Sequence, residues 1–350
     1  MKGINLCVVV ALILSASCAA RDDAPAPVSP PAAELIAVDK IWDGAPHNAF
    51  TDLVRFNDVW YCVFREGAGH VSPDGALRVI TSTDGAEWKS TALMTSDSAD
   101  LRDAKLTVTP DRRLMLSGAG ALHDKTHGRH QSMVWFSEEG AQWTDGIAVA
   151  DRNFWLWRVT WQAGRAWGVG YATDGSGFVR LYKSDDGRNY CTAVDRLFDE
   201  GSPNEATLRF LDDATALCLM RREKGTRTAV LGSAAPPYTE WTWLDLGKRL
   251  GGPNMIILPE GEIIAAGRLY EGAVRTALCK VDIEQGGLHE ILTLPSGGDT
   301  SYPGLVWHDG FLWVSYYSSH ERKAAIYLAK VRLDREKEGA KNAKNEKIDN

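Results

Sequence analysis

The sequence predicts an all-β fold, a six-bladed β-propeller with four antiparallel strands per blade, closed by a strand from the N-terminal end of the domain. Three observations carry this. A turn motif recurs at near-constant spacing, the intervals between copies each hold four short apolar runs, and the last interval is one strand short.

The motif reads SxDGxxW. Its best copies are Ser82–Trp88 (STDGAEW), Ser137–Trp143 (SEEGAQW) and Ser184–Tyr190 (SDDGRNY). A worn copy lies at Ser233–Trp241 and a weaker one at Asp282–Gly287. The starts at 82, 137, 184, 233 and about 282 are 55, 47, 49 and 49 residues apart. An Asp carboxylate can accept backbone N–H groups across its own turn, Gly takes the left-handed conformation, and the aromatic ring packs beneath the hairpin. The pattern resembles the Asp-box of sialidases and related β-propellers.

Between the turns, the first unit reads AFTDLVRF, VWYCVFRE, LRVITSTDG and EWKSTALM, and the next four units repeat that four-strand pattern. The sixth has only SYPGLVWHDG, FLWVSYYSS and AAIYLAKV. LIAVDKIW at 35–42 can supply its missing outer strand, which fixes the blade count at six.

The flanks read differently. Residues 1–20 have one Lys, an apolar run from Leu6 to Leu14 and then small residues, the pattern of a secretory signal peptide. LSASC, ending at Cys18, resembles a bacterial lipobox, so the two alternatives are lipidation at Cys18 and simple cleavage around Ala20. Residues 21–35 are Pro/Ala-rich, a tether, and residues 334–350 form a charged tail with little to bury. The expectation is an exported chain (periplasmic, lipid-anchored at the outer membrane, or secreted), meeting a membrane only through Cys18.

Length and charge fit this division. At about 150 residues per domain, 350 residues would suggest two domains. Removing 35 residues of leader and tether and 17 of tail leaves 298, close to 50 per blade. The 13 Trp and 33 Gly are what many hairpins need, and the net charge of −7 argues against a nucleic-acid partner. Beyond the leader, Cys62, Cys191, Cys218 and Cys279 are far apart in apolar runs, expected to be buried free thiols. No Cys/His spacing points to zinc, and neither a metal nor a cofactor is expected.

In a blade of strands a to d, counted outward from the axis, the start of a, the end of b and the start of c share one face. Residues there converge on the central mouth, where propellers bind ligands. Those positions hold His47, Arg65, His70, Asp74, Arg102, Asp103, Glu205, Arg221, Arg268, Arg275, Tyr302 and Tyr317 among others, a set suited to an anionic, hydroxylated ligand.

These residues resemble the sialidase superfamily over residues 36–333. NEATLRFLDDATALCLMR places Glu205 sixteen residues before Arg221, and TSYPGLVWHDGFLWVSYY opens the last blade with Tyr302. The resemblance implies a retaining glycoside hydrolase acting on a terminal acidic sugar, exo-α-sialidase-like, in which Tyr302 attacks the anomeric carbon and Glu205 takes its proton. Sialidases are an exception to the two-carboxylate rule, and a neutral nucleophile spares a carboxylated sugar a like-charge approach. It implies Asp74 as general acid/base, with His70 as the fallback, and Arg221 with Arg268 or Arg275 as carboxylate ligands. The family's Arg-Ile-Pro motif is replaced by His47-Asn48-Ala-Phe-Thr. Either Arg65 or Arg102 then rebuilds the arginine triad, or the substrate is a sugar other than sialic acid. A propeller that binds an acidic glycan without cleaving it is the second class of function; a protein-interaction platform is a third, disfavoured because it needs no polar mouth.

Overall fold

The computed structural model describes residues 33–334, all of them in strands, turns and loops. The signal peptide, Cys18, most of the tether and the tail beyond Asp334 lie outside the described residues. One boundary moves: the first strand, β1 (Ala33–Trp42), begins inside the stretch read as tether.

Six four-stranded antiparallel sheets follow. Blade 1 is β2 (His47–Phe56), β3 (Val59–Gly67), β4 (Ala76–Ser82) and β5 (Lys89–Met94). Blade 2 is β6 (Ala99–Val108), β7 (Leu114–Leu122), β8 (His130–Ser137) and β9 (Ile147–Val149). Blade 3 is β10 (Phe154–Gln162), β11 (Arg165–Ala172), β12 (Val179–Ser184) and β13 (Cys191–Phe198). Blade 4 is β14 (Pro203–Phe210), β15 (Ala216–Arg222), β16 (Val230–Ala234) and β17 (Thr242–Asp245). Blade 5 is β18 (Leu250–Ile257), β19 (Ile263–Leu269), β20 (Arg275–Asp282) and β21 (Gly287–Thr293). Blade 6 is β22 (Thr300–His308), β23 (Phe311–Ser318) and β24 (Ala325–Leu333), completed by β1, which pairs with β24 from Ala33↔Leu333 to Trp42↔Ile326. The short sixth unit is therefore finished by 35–42, as its length required, and the two ends of the described chain pair to close the ring.

Alternation puts one face of each sheet against the next blade. Apolar clusters fill all six junctions between blades. Leu77, Val79, Leu114 and Leu116 join blades 1 and 2, for example, and Phe50, Leu53, Tyr317 and Ile326 join blades 6 and 1. The SxDGxxW turns sit between the third and outermost strands. In the first, Ala86 and Glu87 N–H donate to Asp84 Oδ1 at 2.9 and 3.0 Å, Gly85 N–H donates to Ser82 Oγ, and Trp88 Nε1 donates to Gly85 O. Gly85 has a φ of 80°, and a Cβ there would touch Trp313 of blade 6 at 3.2 Å, so the turn also helps seat neighbouring blades.

Cys62, Cys218 and Cys279 are buried free thiols, but Cys191 is exposed. It opens β13, an outermost strand with one solvent face, which an apolar run read alone does not distinguish from an inner strand.

Candidate active site

The innermost strand of every blade breaks register with its partner at the same place: between Ala49 and Asp52, Arg102 and Lys105, Leu156 and Val159, Pro203 and Ala206, Gly251 and Asn254, Ser301 and Gly304. A bulge leaves its residues unpaired and re-aims their side chains. The skipped positions supply Phe50, Asp103, Trp157, Glu205, Gly252 and Tyr302, one from each blade. Phe50, Asp103 and Tyr302 take left-handed φ values of 64°, 55° and 53°, uncommon for residues with a side chain and frequent at functional sites.

The ring closes on itself through direct contacts. Phe50 packs edge-on against Tyr302 at 5.0 Å, and Trp157 lies 5.8 Å from it. Tyr171 stacks on Trp155 at 5.9 Å and adds an aromatic wall. A Cβ on Gly252 would fall 2.6 Å from the Tyr302 ring, so only glycine lets the ring lie there.

Glu205 is the hub. Its Oε1 accepts from Tyr302 Oη at 2.6 Å, and its Oε2 accepts from Arg221 Nη1 and Gly252 N–H, both at 2.8 Å. Arg221 Nη1 also donates to Tyr302 Oη at 3.2 Å. The antiparallel pairing of β14 with β15 opposes Pro203 and Arg222, which is why residues sixteen apart meet. Burial works against the Glu205 charge, but Arg221 and the bonds from Tyr302, Arg221 and Gly252 outweigh it and hold the carboxyl below its ordinary value. Burial, and then the Glu205 charge, push the Tyr302 phenol well above 10. Glu205 is thus ionised and Tyr302 neutral, poised for the phenol to give up its proton only as its oxygen bonds elsewhere. Arg221 is held further by Glu223, which also pairs with Arg249 at 2.8 Å.

The other sequence candidates divide. Arg268 joins the cluster: it donates to Thr300 O, Asp299 Oδ1 and Tyr317 Oη, and lies 5.8 Å over the Tyr302 ring. Arg102 lies 5.2 Å over Phe50 and pairs with Asp100 at 3.3 Å. Arg275 does not join, because it is bound outward to Glu290 on β21 and to Glu271 O. Arg65 is fully buried and commits four of its five N–H groups to Asp100, Gly69 O and Ser72, so it braces the β3–β4 loop. Asp74 caps that same loop through Ala68 N–H at 3.1 Å, and hydrogen bonds, from Ser72 first, hold its carboxyl low, opposite to what a proton donor needs. His47 and His70 meet at Asp299 Oδ2, at 3.1 and 2.6 Å.

Two residues gain importance that the sequence did not assign. Asp299, one position before β22, is one: its two histidine partners lie more than 200 residues away in sequence, so no spacing marks it. Asp103 stood at a mouth position without a role. It is buried, its Oδ1 has no partner, and burial raises its carboxyl despite Lys105 and Arg102 nearby. Its charge also reaches Tyr171 and Tyr302.

No protein-family model and no curated protein sequence matches the chain. Solved structures do. A protein of unknown function from Dyadobacter fermentans superposes with a TM-score of 0.78 at 18% identity, over 87% of this chain and 100% of that one. An α-L-arabinanase from Penicillium chrysogenum, complexed with arabinobiose, gives 0.66 at 13%, over 86% and 98%. The Trypanosoma rangeli sialidase gives 0.65 at 11%, over 82% of this chain and 55% of that one, so the chain spans about half that sialidase. At these identities the likeness is one of fold: the chain is a six-bladed β-propeller of the architecture found in sialidase and arabinanase structures.

Proposed function

We propose that the protein is a retaining glycoside hydrolase that removes a terminal sugar with Tyr302 as nucleophile. The observation that carries this is the Tyr302–Glu205–Arg221 cluster at the mouth, with Tyr302 Oη 2.6 Å from Glu205 Oε1 and 3.2 Å from Arg221 Nη1. A scaffold has no need to bury an ionised Glu against a neutral phenol at the centre of its ligand face. The arabinanase and sialidase neighbours are consistent with a glycan as substrate.

In the proposed reaction the phenol oxygen attacks the anomeric carbon and its proton passes to Glu205. Arg221 stabilises the charge developing on the phenol oxygen. Asp103, whose carboxyl burial pushes upward, replaces Asp74 as the acid that protonates the leaving oxygen, and then as the base that activates water. Tyr171, half-buried and backed by Trp155 and Trp157, offers an apolar face to a sugar ring. Export, with or without a lipid on Cys18, belongs to the same reading and rests on the leader sequence.

A carboxylated sugar, sialic acid included, is the substrate for which a neutral phenol has its clearest advantage over a carboxylate nucleophile. One observation favours a neutral sugar instead: Arg102, Arg221 and Arg268 each already face a carboxylate. Activated aryl glycosides of sialic acid, hexuronic acids and arabinofuranose separate the two. Turnover of at least one, abolished by Tyr302→Phe with binding retained, is the expected outcome. Binding of an acidic glycan with no turnover of any member of the panel would establish the non-catalytic alternative.

A further inference from the structure

On the rim between blades 6 and 1, three side chains turn one ligand atom each toward a common point. His47 Nε2 and His70 Nδ1 lie 3.1 and 2.6 Å from the same oxygen, Asp299 Oδ2, and all three atoms fall within 4.8 Å of one another. They come from the start of β2, the β3–β4 loop and the residue before β22, so no local turn forces them together. Asp299 is itself oriented from behind, because its Oδ1 accepts from Tyr317 Oη at 2.6 Å and from Arg268 Nη2 at 3.2 Å. His47 is wedged against Phe50, Tyr317 and His70, and its far nitrogen, Nδ1, is buried without a partner. The polar engagement of that ring is therefore at the cluster.

We propose that His47 Nε2, His70 Nδ1 and Asp299 Oδ2 bind a divalent first-row transition ion, with Zn²⁺ the best-matched representative. Two imidazoles and a carboxylate are ligands that such ions take, and three protein ligands leave a coordination position open. Bonds of roughly 2.0–2.1 Å in a tetrahedron separate ligand atoms by about 3.3 Å. The two contacts with Asp299 Oδ2, at 3.1 and 2.6 Å, reach that by opening about 0.2 and about 0.7 Å, and His70, whose side chain is 49% exposed on the β3–β4 loop, can give that much. The bonds to Asp299 Oδ1 are the outer support that metal-bound carboxylates have.

The position also offers a use, and this step rests on the hydrolase reading. Where the sialidase resemblance leads one to expect an arginine, the chain has His47-Asn48. A cation beside Arg268 supplies the positive charge that position lacks, with an open site for a substrate carboxylate or a pair of hydroxyls.

The test uses the untagged full chain, stripped with a chelator and dialysed against zinc chloride, with bound metal read by mass spectrometry and affinity by competition with a chromophoric chelator. One zinc per chain is expected, with affinity at least 100-fold weaker in His70→Ala, whose exposure makes it the safer substitution, and in His47→Ala, while His289→Ala, on the outermost strand of blade 5, binds as wild type. Failure to bind zinc, or wild-type affinity in both cluster variants, overturns the site. Turnover by a chain that binds no zinc overturns this inference and keeps the hydrolase; zinc held by a chain without turnover keeps the site and overturns the hydrolase.

Discussion

Glu205→Gln is the perturbation whose consequences the structure defines best, because the side chain keeps its shape and loses only its charge. In the wild type that charge faces Arg221 at 2.8 Å, with the Glu205 and Arg221 side chains only 9% and 14% exposed. Removing one member of a fully buried pair costs about 3–5 kcal/mol. Here Glu223 still contacts Arg221, and an amide oxygen can still accept from Gly252 N–H, so the expected loss is about 2–3 kcal/mol at neutral pH. For a domain of this size that lowers the melting midpoint by about 3–5 °C. The pH dependence gives the sign. A carboxyl held below its ordinary value contributes stability above the unfolded value, near 4.5, and loses it as pH falls through the folded one. The gap between wild type and variant therefore narrows on acidification below about 4.5. Activity falls by about 10²–10⁴-fold as the proton acceptor for Tyr302 is lost. Melts from pH 3 to pH 7 together with steady-state kinetics provide the assay. A pH-independent gap refutes the assigned electrostatics, and wild-type turnover refutes the assigned role.

Other outcomes follow from the same geometry. Asp103→Asn should lose about 10²–10⁴-fold in kcat while becoming more stable than wild type at pH 7, since a raised carboxyl penalises folding above its unfolded value near 3.8. That gain should vanish in denaturant melts at pH 3; an equal gain at both pH values contradicts it. Arg65→Met should destabilise by about 3 kcal/mol, because it takes from the buried Asp100 the closer of its two arginines and leaves Arg102 alone at 3.3 Å, whereas Arg275→Ala should cost under about 1 kcal/mol and leave kcat/KM unchanged. Chemical denaturation and kinetics on the two variants separate the bracing arginine from the outward one, and a lower kcat/KM in Arg275→Ala would return it to the site.

Much of the fold was legible because propeller blades repeat one local problem, a four-stranded hairpin stack with the same turns, and a repeat reports itself in the sequence. The Glu205–Arg221 pairing was legible for a related reason: in a hairpin, the start of one strand and the end of the next are neighbours wherever the blade sits. What could not be read was which charged groups were already spent. Arg65 and Arg268 stand at equivalent ends of equivalent strands, yet one is locked on Asp100 and its own loop, and the other faces Tyr302. Asp74 was readable as either acid or turn, and its SPDG context marked the local bonding that the structure has. The His47–His70–Asp299 cluster spans 252 residues and leaves no spacing to find. Asp103 acquires its character from a bulge and from burial, and neither is visible in the letters around it.

The central claim is that Tyr302 forms the covalent bond. Incubating the protein with a fluorinated, activated form of whichever glycoside it turns over, then mapping the modified peptide by mass spectrometry, tests it directly. A single glycosyl adduct on Tyr302, absent from Tyr302→Phe, is the expected result. An adduct on Glu205 or Asp103, or a product released with inverted anomeric configuration, would contradict it.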